Sequence, residues 1–396
     1  MEKVIRVRLK LLVIAVTTLL LHAGCNDSGV SRALPSSRQA PGQSACQFVE
    51  QGWGPTGTVP LQVDVVATGL EVPWSLAFLP GGDWLVTERA GAIRLIRGGV
   101  PVPKAVAEVS TAEGGEGGLL GLALHPQFAA NRLFFVYYTT DKNGETVNRL
   151  ERFKLSEDHL SAVSDRVLID GIPAGSFHDG GRIKFGPDGM LYVGTGDGRE
   201  SERAQDPASL NGKLLRVDPE SGTPSVFALG VRNLEAFDWI NPDLIIAADH
   251  GPTGEFGLQG LDEVSFVTNG ANLGWPKITG CQTGEGLVTP AISWKEAFPP
   301  GGGAIYTGDA IPDFKGNFMV GALGMEDGSA RQLHRFVLDP VNRTITLHEA
   351  YLAGEYGRLR DVVQGPDGAL YVTTSNCDTR GECPERKDVI LRISKR

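Results

Sequence analysis

Ile183-Lys-Phe-Gly-Pro-Asp-Gly-Met-Leu-Tyr-Val193 and Val362-Val-Gln-Gly-Pro-Asp-Gly-Ala-Leu-Tyr-Val372 spell one unit twice: an apolar strand, a Gly-Pro-Asp-Gly turn and a second apolar strand. Proline presets one backbone angle of such a turn, and glycine takes the conformation that closes it. Looser copies occur elsewhere. Trp74-Ser-Leu-Ala-Phe-Leu-Pro-Gly-Gly-Asp-Trp-Leu-Val-Thr-Glu88 is the first, and Gly121-Leu-Ala-Leu-His-Pro-Gln-Phe128 with Leu133-Phe-Phe-Val-Tyr-Tyr138 the second. Ala236-Phe-Asp-Trp-Ile-Asn-Pro-Asp-Leu-Ile-Ile-Ala247 is the fourth and Asp313-Phe-Lys-Gly-Asn-Phe-Met-Val320 a degenerate fifth. Successive units begin roughly 45 to 75 residues apart, the spacing of propeller blades with inserted loops. No long stretch keeps a helical period, and apolar runs alternate with Gly, Pro, Asp and Asn turns. The pattern predicts an all-β chain folded as a six-bladed β-propeller. One domain spans residues 46–396, its last strand, Val389-Ile-Leu-Arg-Ile-Ser394, closing the ring beside strands from the N-terminal part. Ligands of such a ring sit at the central channel.

Ahead of this domain, Lys3, Arg6, Arg8 and Lys10 precede the apolar run Leu11–Leu21, which is short for a membrane span and reads as an export signal over residues 1–24. The run ends Leu21-His22-Ala23-Gly24-Cys25, resembling a lipobox, in which the cysteine becomes lipid-modified and N-terminal. His22 stands where that motif prefers Leu, and cleavage without lipidation is the other reading. Residues 25–45, rich in Ser, Pro, Ala and Gln, form a flexible tether. The expected location is the periplasm or cell envelope, with membrane contact only through a lipid at Cys25. Loss of residues 1–24 removes four basic residues and one acidic one, moving the formal charge from −10 to −13. An acidic surface of this kind argues against nucleic acid as a partner. Four cysteines remain, enough for two disulfides in an oxidising compartment. Cys377 and Cys383 enclose a short polar loop and form one pair; Cys46 and Cys281 are left to form the other.

The candidate chemistry begins just before the third unit, in Phe177-His-Asp-Gly-Gly-Arg182, and the same stretch runs on to Gly194-Thr-Gly-Asp197. Gly180 and Gly181 permit backbone angles closed to other residues, so His178 sits where a strand ends and a loop begins. Its imidazole can accept a proton near neutral pH. A lone histidine is more commonly a structural hydrogen-bonder, and the context decides.

That context is a set of motifs in order: Gly69-Leu-Glu-Val-Pro-Trp-Ser-Leu-Ala-Phe78, Gly115-Glu-Gly-Gly-Leu-Leu-Gly-Leu-Ala-Leu-His-Pro-Gln-Phe128, the His178 segment, Leu229-Gly-Val-Arg-Asn233, His250-Gly-Pro252, Asn272-Leu-Gly-Trp-Pro276 and Arg358-Leu-Arg-Asp-Val362. Together they resemble the soluble quinoprotein sugar dehydrogenases, the glucose/sorbosone or aldose sugar dehydrogenase family, over nearly the whole chain after the tether. The resemblance implies pyrroloquinoline quinone (PQQ) and calcium as cofactors. It implies oxidation of the C1 hydroxyl of an aldose to a lactone, with electrons passed to an external acceptor. It makes His178 the catalytic base, Arg232, Asn233, Arg358 and Arg360 cofactor contacts, and the backbone carbonyls of Gly251 and Pro252 calcium ligands. Arg358 and Arg360 are two apart, so an extended backbone points both to one side, where guanidinium can clasp carboxylate. Asp262 and Glu263 lie near enough in sequence to serve a structural calcium.

Three positions depart from the family pattern. Glu116 stands where glucose-oxidising members place Gln against cofactor or sugar, adding negative charge unless metal or arginine offsets it. Gly324, in Gly321-Ala-Leu-Gly-Met-Glu326, replaces an expected Lys, with Arg331 and Lys315 as candidate substitutes. Phe177 replaces a polar residue ahead of the base. A PQQ-free six-bladed binding module, and a calcium-dependent lactonase-like hydrolase, are therefore the alternatives to the dehydrogenase.

Overall fold

A computed structural model describes residues 46–112 and 114–396; the export segment, the tether and Cys25 lie outside the described residues. The repeat units become six sheets. In chain order their first strands are Pro73–Phe78, Leu119–Leu124, Ile183–Phe185, Leu234–Asn241, Pro300–Ile305 and Leu359–Gln364, which open blades 1 to 6. First strands, or in one case the strand paired with it, pack on those of the next blade, and blade 6 packs on blade 1. Each of the six apolar clusters fills one gap between neighbouring blades: Leu85, Leu95, Phe134 and Val136 between blades 1 and 2, for instance, and Ile246, Trp294, Phe318 and Phe336 between blades 4 and 5. Sheet packed face to face on sheet around a closed ring buries both faces of every blade.

The quoted turn does the same work in both of its strict copies. Asp188 accepts the Met190 N–H at 3.1 Å and Asp367 the Ala369 N–H at 3.2 Å. The other carboxylate oxygen of each reaches an arginine on the third strand of its own blade, Asp188 to Arg216 and Asp367 to Arg392, both at 2.7 Å. Gly189 and Gly368 both hold φ of +76°, the left-handed conformation the turn requires. Closure is as expected: Leu61–Leu70 runs antiparallel to Asp388–Lys395 as the outer strand of blade 6. Both disulfides form, Cys46–Cys281 and Cys377–Cys383. Among the described residues no helix is long and apolar enough to cross a membrane.

The degenerate fifth unit has a physical cause. Its preceding strand is Pro300–Ile305, of sequence Pro-Gly-Gly-Gly-Ala-Ile. A Cβ on Gly301 would come within 2.6 Å of the Arg360 carbonyl, and one on Gly302 would run into Asp361 and Arg182. The inner strand of blade 5 is glycine because the ring axis beside it is already full.

Candidate active site

At one end of the ring the blades enclose a cavity of about 870 Å³, to which Trp74, Glu116, His178, Glu235, Leu323 and Arg358 come from the six blades or the loops leading into and out of them. His178 is only 5% exposed and takes φ of +65°, uncommon for a residue with a side chain and a mark of functional sites when the surroundings enforce it. They do so here. Its N–H donates to Glu116 Oε2 at 3.2 Å, its carbonyl accepts the Gly198 N–H at 3.1 Å, and a Cβ on Gly196 would overlap that carbonyl.

The imidazole is oriented from behind. His178 Nδ1 lies 2.8 Å from Asp197 Oδ1, and Asp197 also accepts the Arg199 N–H and the Trp275 indole N–H, both at 2.8 Å. Burial opposes ionisation of Asp197, but the bonds from His178, Trp275 and Arg199 outweigh it and hold the carboxyl below its ordinary value. An ionised acceptor behind Nδ1 assigns the proton to Nδ1 and leaves the Nε2 lone pair for the cavity. Among the described residues Nε2 has no hydrogen-bond partner.

Beside the histidine the cavity wall is cationic. Arg89, Arg358 and Arg360 all line it, together with Asp378. Arg358 Nε and Arg360 Nη2 meet Asp378 Oδ2 at 2.9 and 3.4 Å, so the two arginines do share a side as the extended spacing predicts. Burial pulls the Arg358 guanidinium down to about 10, with Asp378 working against it and Arg360 and Arg380 adding to it. Three arginines thus gather around one aspartate on this wall. Glu116 adds no net charge, because Arg380 Nη1 lies 2.7 Å from its Oε1. Burial would keep a proton on Glu116; Arg380, His250 and His178 prevail and hold it below the usual carboxylate value.

Other expected site residues are placed as follows. Arg232 lines the cavity and pairs with Glu255 at 3.0 Å, its guanidinium 5.6 Å from the Trp275 ring. Asn233 is buried just outside the lining, its Oδ1 accepting the Gly180 N–H at 2.9 Å, so it supports the backbone of the His178 loop. Gly251 lines the cavity, and Pro252 follows it in the chain. Their carbonyls each accept one backbone N–H at 2.9 Å, from Thr253 and Glu255, which leaves a lone pair on each. Asp262 is committed to Gly251 N–H at 2.9 Å and Phe298 N–H at 2.7 Å; its role is to anchor loops. Burial, then Asp249 and Asp262, raise Glu263 well above its ordinary value, the state of a neutral acid. Among the described residues no three His, Cys, Asp or Glu side chains converge to hold a metal. A calcium here would depend on carbonyl and ligand oxygens.

The family model described as Glucose / Sorbosone dehydrogenase matches residues 70–383, a span that includes His178, the three arginines and the Gly251 and Pro252 carbonyls. The chain belongs to the glucose/sorbosone dehydrogenase family. It is 29% identical to the aldose sugar dehydrogenase YliI of Escherichia coli over 379 residues, 87% of this chain and 95% of that protein. The PQQ-bound structure of the aldose sugar dehydrogenase of Streptomyces coelicolor superposes with a TM-score of 0.73 at 32% identity, covering 85% of this chain and 99% of the other.

Among glucose/sorbosone dehydrogenase family features, the missing lysine is explained locally. Gly324 has φ of +66°, and a Cβ there would overlap the Ser329 carbonyl and the Arg331 side chain. Neither expected substitute serves: Arg331 donates to the carbonyls of Met325 and Arg380 at 3.1 and 3.3 Å, and Lys315 pairs with Asp309 at 2.8 Å. Arg89 lines the cavity instead, and the Gly324 carbonyl accepts a 3.0 Å bond from Arg358 Nη1. Gly324→Lys is thus expected to cost stability, about 1–3 kcal/mol from left-handed strain and overlap, seen as a lower melting temperature. An unchanged melting temperature would contradict this account of the position. Arg89, Arg380, Asp378, Asp197 and Trp275 were not singled out from sequence. Asp197 closes the segment that begins at Phe177, and Trp275 lies in a family motif; the other three carry no local signal.

Proposed function

We propose that this chain is an exported PQQ- and calcium-dependent dehydrogenase that oxidises the C1 hydroxyl of an aldose to the lactone and passes the electrons to an external acceptor. The observation that carries the reading is His178, oriented through Nδ1 by Asp197 and lining the same cavity as Arg89, Arg358 and Arg360. The residues present fit the cofactor. A planar tricarboxylate needs fixed guanidinium groups, which Arg89, Arg358 and Arg360 provide beside Trp74, which lines the same cavity. Gly251 and Pro252 would hold calcium through their carbonyls. When bound, PQQ with calcium supplies an electrophilic two-electron acceptor for hydride.

The chain's own part is proton handling and positioning. His178 Nε2 takes the proton of the C1 hydroxyl as the C1–H bond gives up hydride, and the C1–O bond becomes the lactone carbonyl. Asp197 stabilises the imidazolium that forms, and Trp275 and the Arg199 N–H keep Asp197 an acceptor. The Phe177 ring beside the base lies 5.9 and 5.1 Å from the guanidinium carbons of Arg199 and Arg380, giving that side of the cavity an apolar surface for a sugar face. Two disulfides agree with an oxidising compartment.

The binding-module alternative drew on the cation missing at Gly324, and the arginine wall removes that premise. Reconstitution of the purified protein with PQQ and calcium, followed by dye reduction with a panel of aldoses and identification of the product, tests the proposal. Lactone formation is the expected result; a PQQ-loaded protein inert toward every aldose counts against it. Arg358→Ala is expected to raise the dissociation constant for PQQ at least about tenfold, because it removes a charge-assisted contact, while leaving the turnover of the loaded fraction nearly unchanged.

A further inference from the structure

We infer that Glu235 is a protonated hydrogen-bond donor to the bound quinone, and that quinone binding draws one proton onto it. This rests on the dehydrogenase reading and adds a residue to the same site. Glu235 lies on the first strand of blade 4, lines the cavity and is only 6% exposed. Its Oε1 accepts a long 3.3 Å bond from Asn233 Nδ2, while Oε2 is buried with no partner. Buried polar atoms are nearly always paired, so an unpaired oxygen in a cavity wall marks a contact that a ligand completes. The nearest guanidinium bond leaves the carboxyl alone: Arg182 Nε donates to the Glu235 main-chain carbonyl at 2.9 Å.

The ligand for this cavity is an anion, because Arg89, Arg358 and Arg360 line it. A carboxylate is an acceptor only, and facing an anionic ligand it repels. A carboxylic acid in the same place donates. The surroundings of Glu235 favour that form. Burial raises its pKa to about 7; Arg360 and Arg182 work against this, and Glu116 adds to it. Blade 1 contributes the uncharged Trp74 to the same cavity, and the inner strand of blade 5, Pro-Gly-Gly-Gly-Ala-Ile, carries no charge. Asp179, the other cavity acid with an unpartnered buried oxygen, is raised to about 6 by burial, with Asn148 and the Gly175 N–H opposing. An anion arriving beside Glu235 raises its proton affinity further, so binding at pH above 7 is accompanied by proton uptake.

The test is calorimetric titration of PQQ into the calcium-supplemented full protein at pH 8, repeated in buffers of different ionisation enthalpy, which counts protons. Glu235→Gln keeps a donor and cannot titrate. The expected result is that Glu235→Gln takes up about one proton fewer than wild type, whereas Asp179→Asn does not lower the count by as much. Wild-type affinity should fall about tenfold from pH 6 to pH 8, and that of Glu235→Gln should fall less. Equal uptake in wild type and Glu235→Gln, with PQQ bound by both, overturns the inference and leaves the dehydrogenase reading intact. Failure of wild type to bind PQQ overturns both.

Discussion

His178→Ala is expected to lower aldose oxidation by about 10²–10⁴-fold, the usual contribution of a positioned general base, with PQQ binding unchanged. The separation follows from geometry. His178 meets Asp197 and the loop backbone, while the cations that would hold the cofactor belong to blades 1 and 6. Asp197→Asn tests the orientation argument independently. The amide can donate to Nδ1, which moves the imidazole proton to Nε2 and removes the lone pair. The expected result is a loss in kcat approaching that of His178→Ala with little change in KM. Full turnover in His178→Ala would remove it from the mechanism, and full turnover in Asp197→Asn would remove the tautomer argument.

Arg182→Met is expected to cost about 3–5 kcal/mol of stability, the range for breaking a buried ion pair by deleting one partner. Arg182 Nη1 lies 2.8 Å from Asp361 Oδ1, and both side chains are 2% exposed. The pair crosses the ring from blade 3 to blade 6. Arg182 Nε also reaches the Glu235 carbonyl of blade 4 at 2.9 Å, and Asp361 Oδ2 accepts the Leu76 N–H of blade 1 at 3.1 Å. Four blades therefore meet at one salt bridge under the cavity. Denaturant unfolding measures the loss. Adding Asp361→Asn should recover part of it, because the stranded charge goes while the acceptor for Leu76 remains. If the single variant is as stable as wild type, the pair does not hold the ring.

The fold was largely legible because turn chemistry repeats. Gly-Pro-Asp-Gly at 186–189 and 365–368 forms the same hydrogen-bonded turn twice, and looser turns mark three more blades. Blade 5 was faint because the Arg182–Asp361 pair and the blade 6 backbone exclude side chains from its inner strand, erasing the apolar pattern. In the site, His178 and the Arg358/Arg360 pair were readable as residue types at a turn and at an extended spacing. The balance of charge was not. Glu116 reads as an uncompensated acid until ring closure brings Arg380, 264 residues away, to its side. Asp378 and Arg380 stand in the loop that Cys377 and Cys383 close, and so short a loop says nothing in sequence of the wall it faces. Gly324 reads as a lost cation, but the chain around it has no room for one.

The central claim is that the arginine wall beside His178 is a seat for an anionic quinone. Titrating purified protein with PQQ in the presence of calcium, followed by tryptophan fluorescence or calorimetry, addresses it most directly, since Trp74 and Trp275 both adjoin the site. The account predicts saturable one-to-one binding at micromolar PQQ or below, weakened by Arg358→Ala and retained by His178→Ala. Absence of binding by the wild-type protein at those concentrations would contradict it.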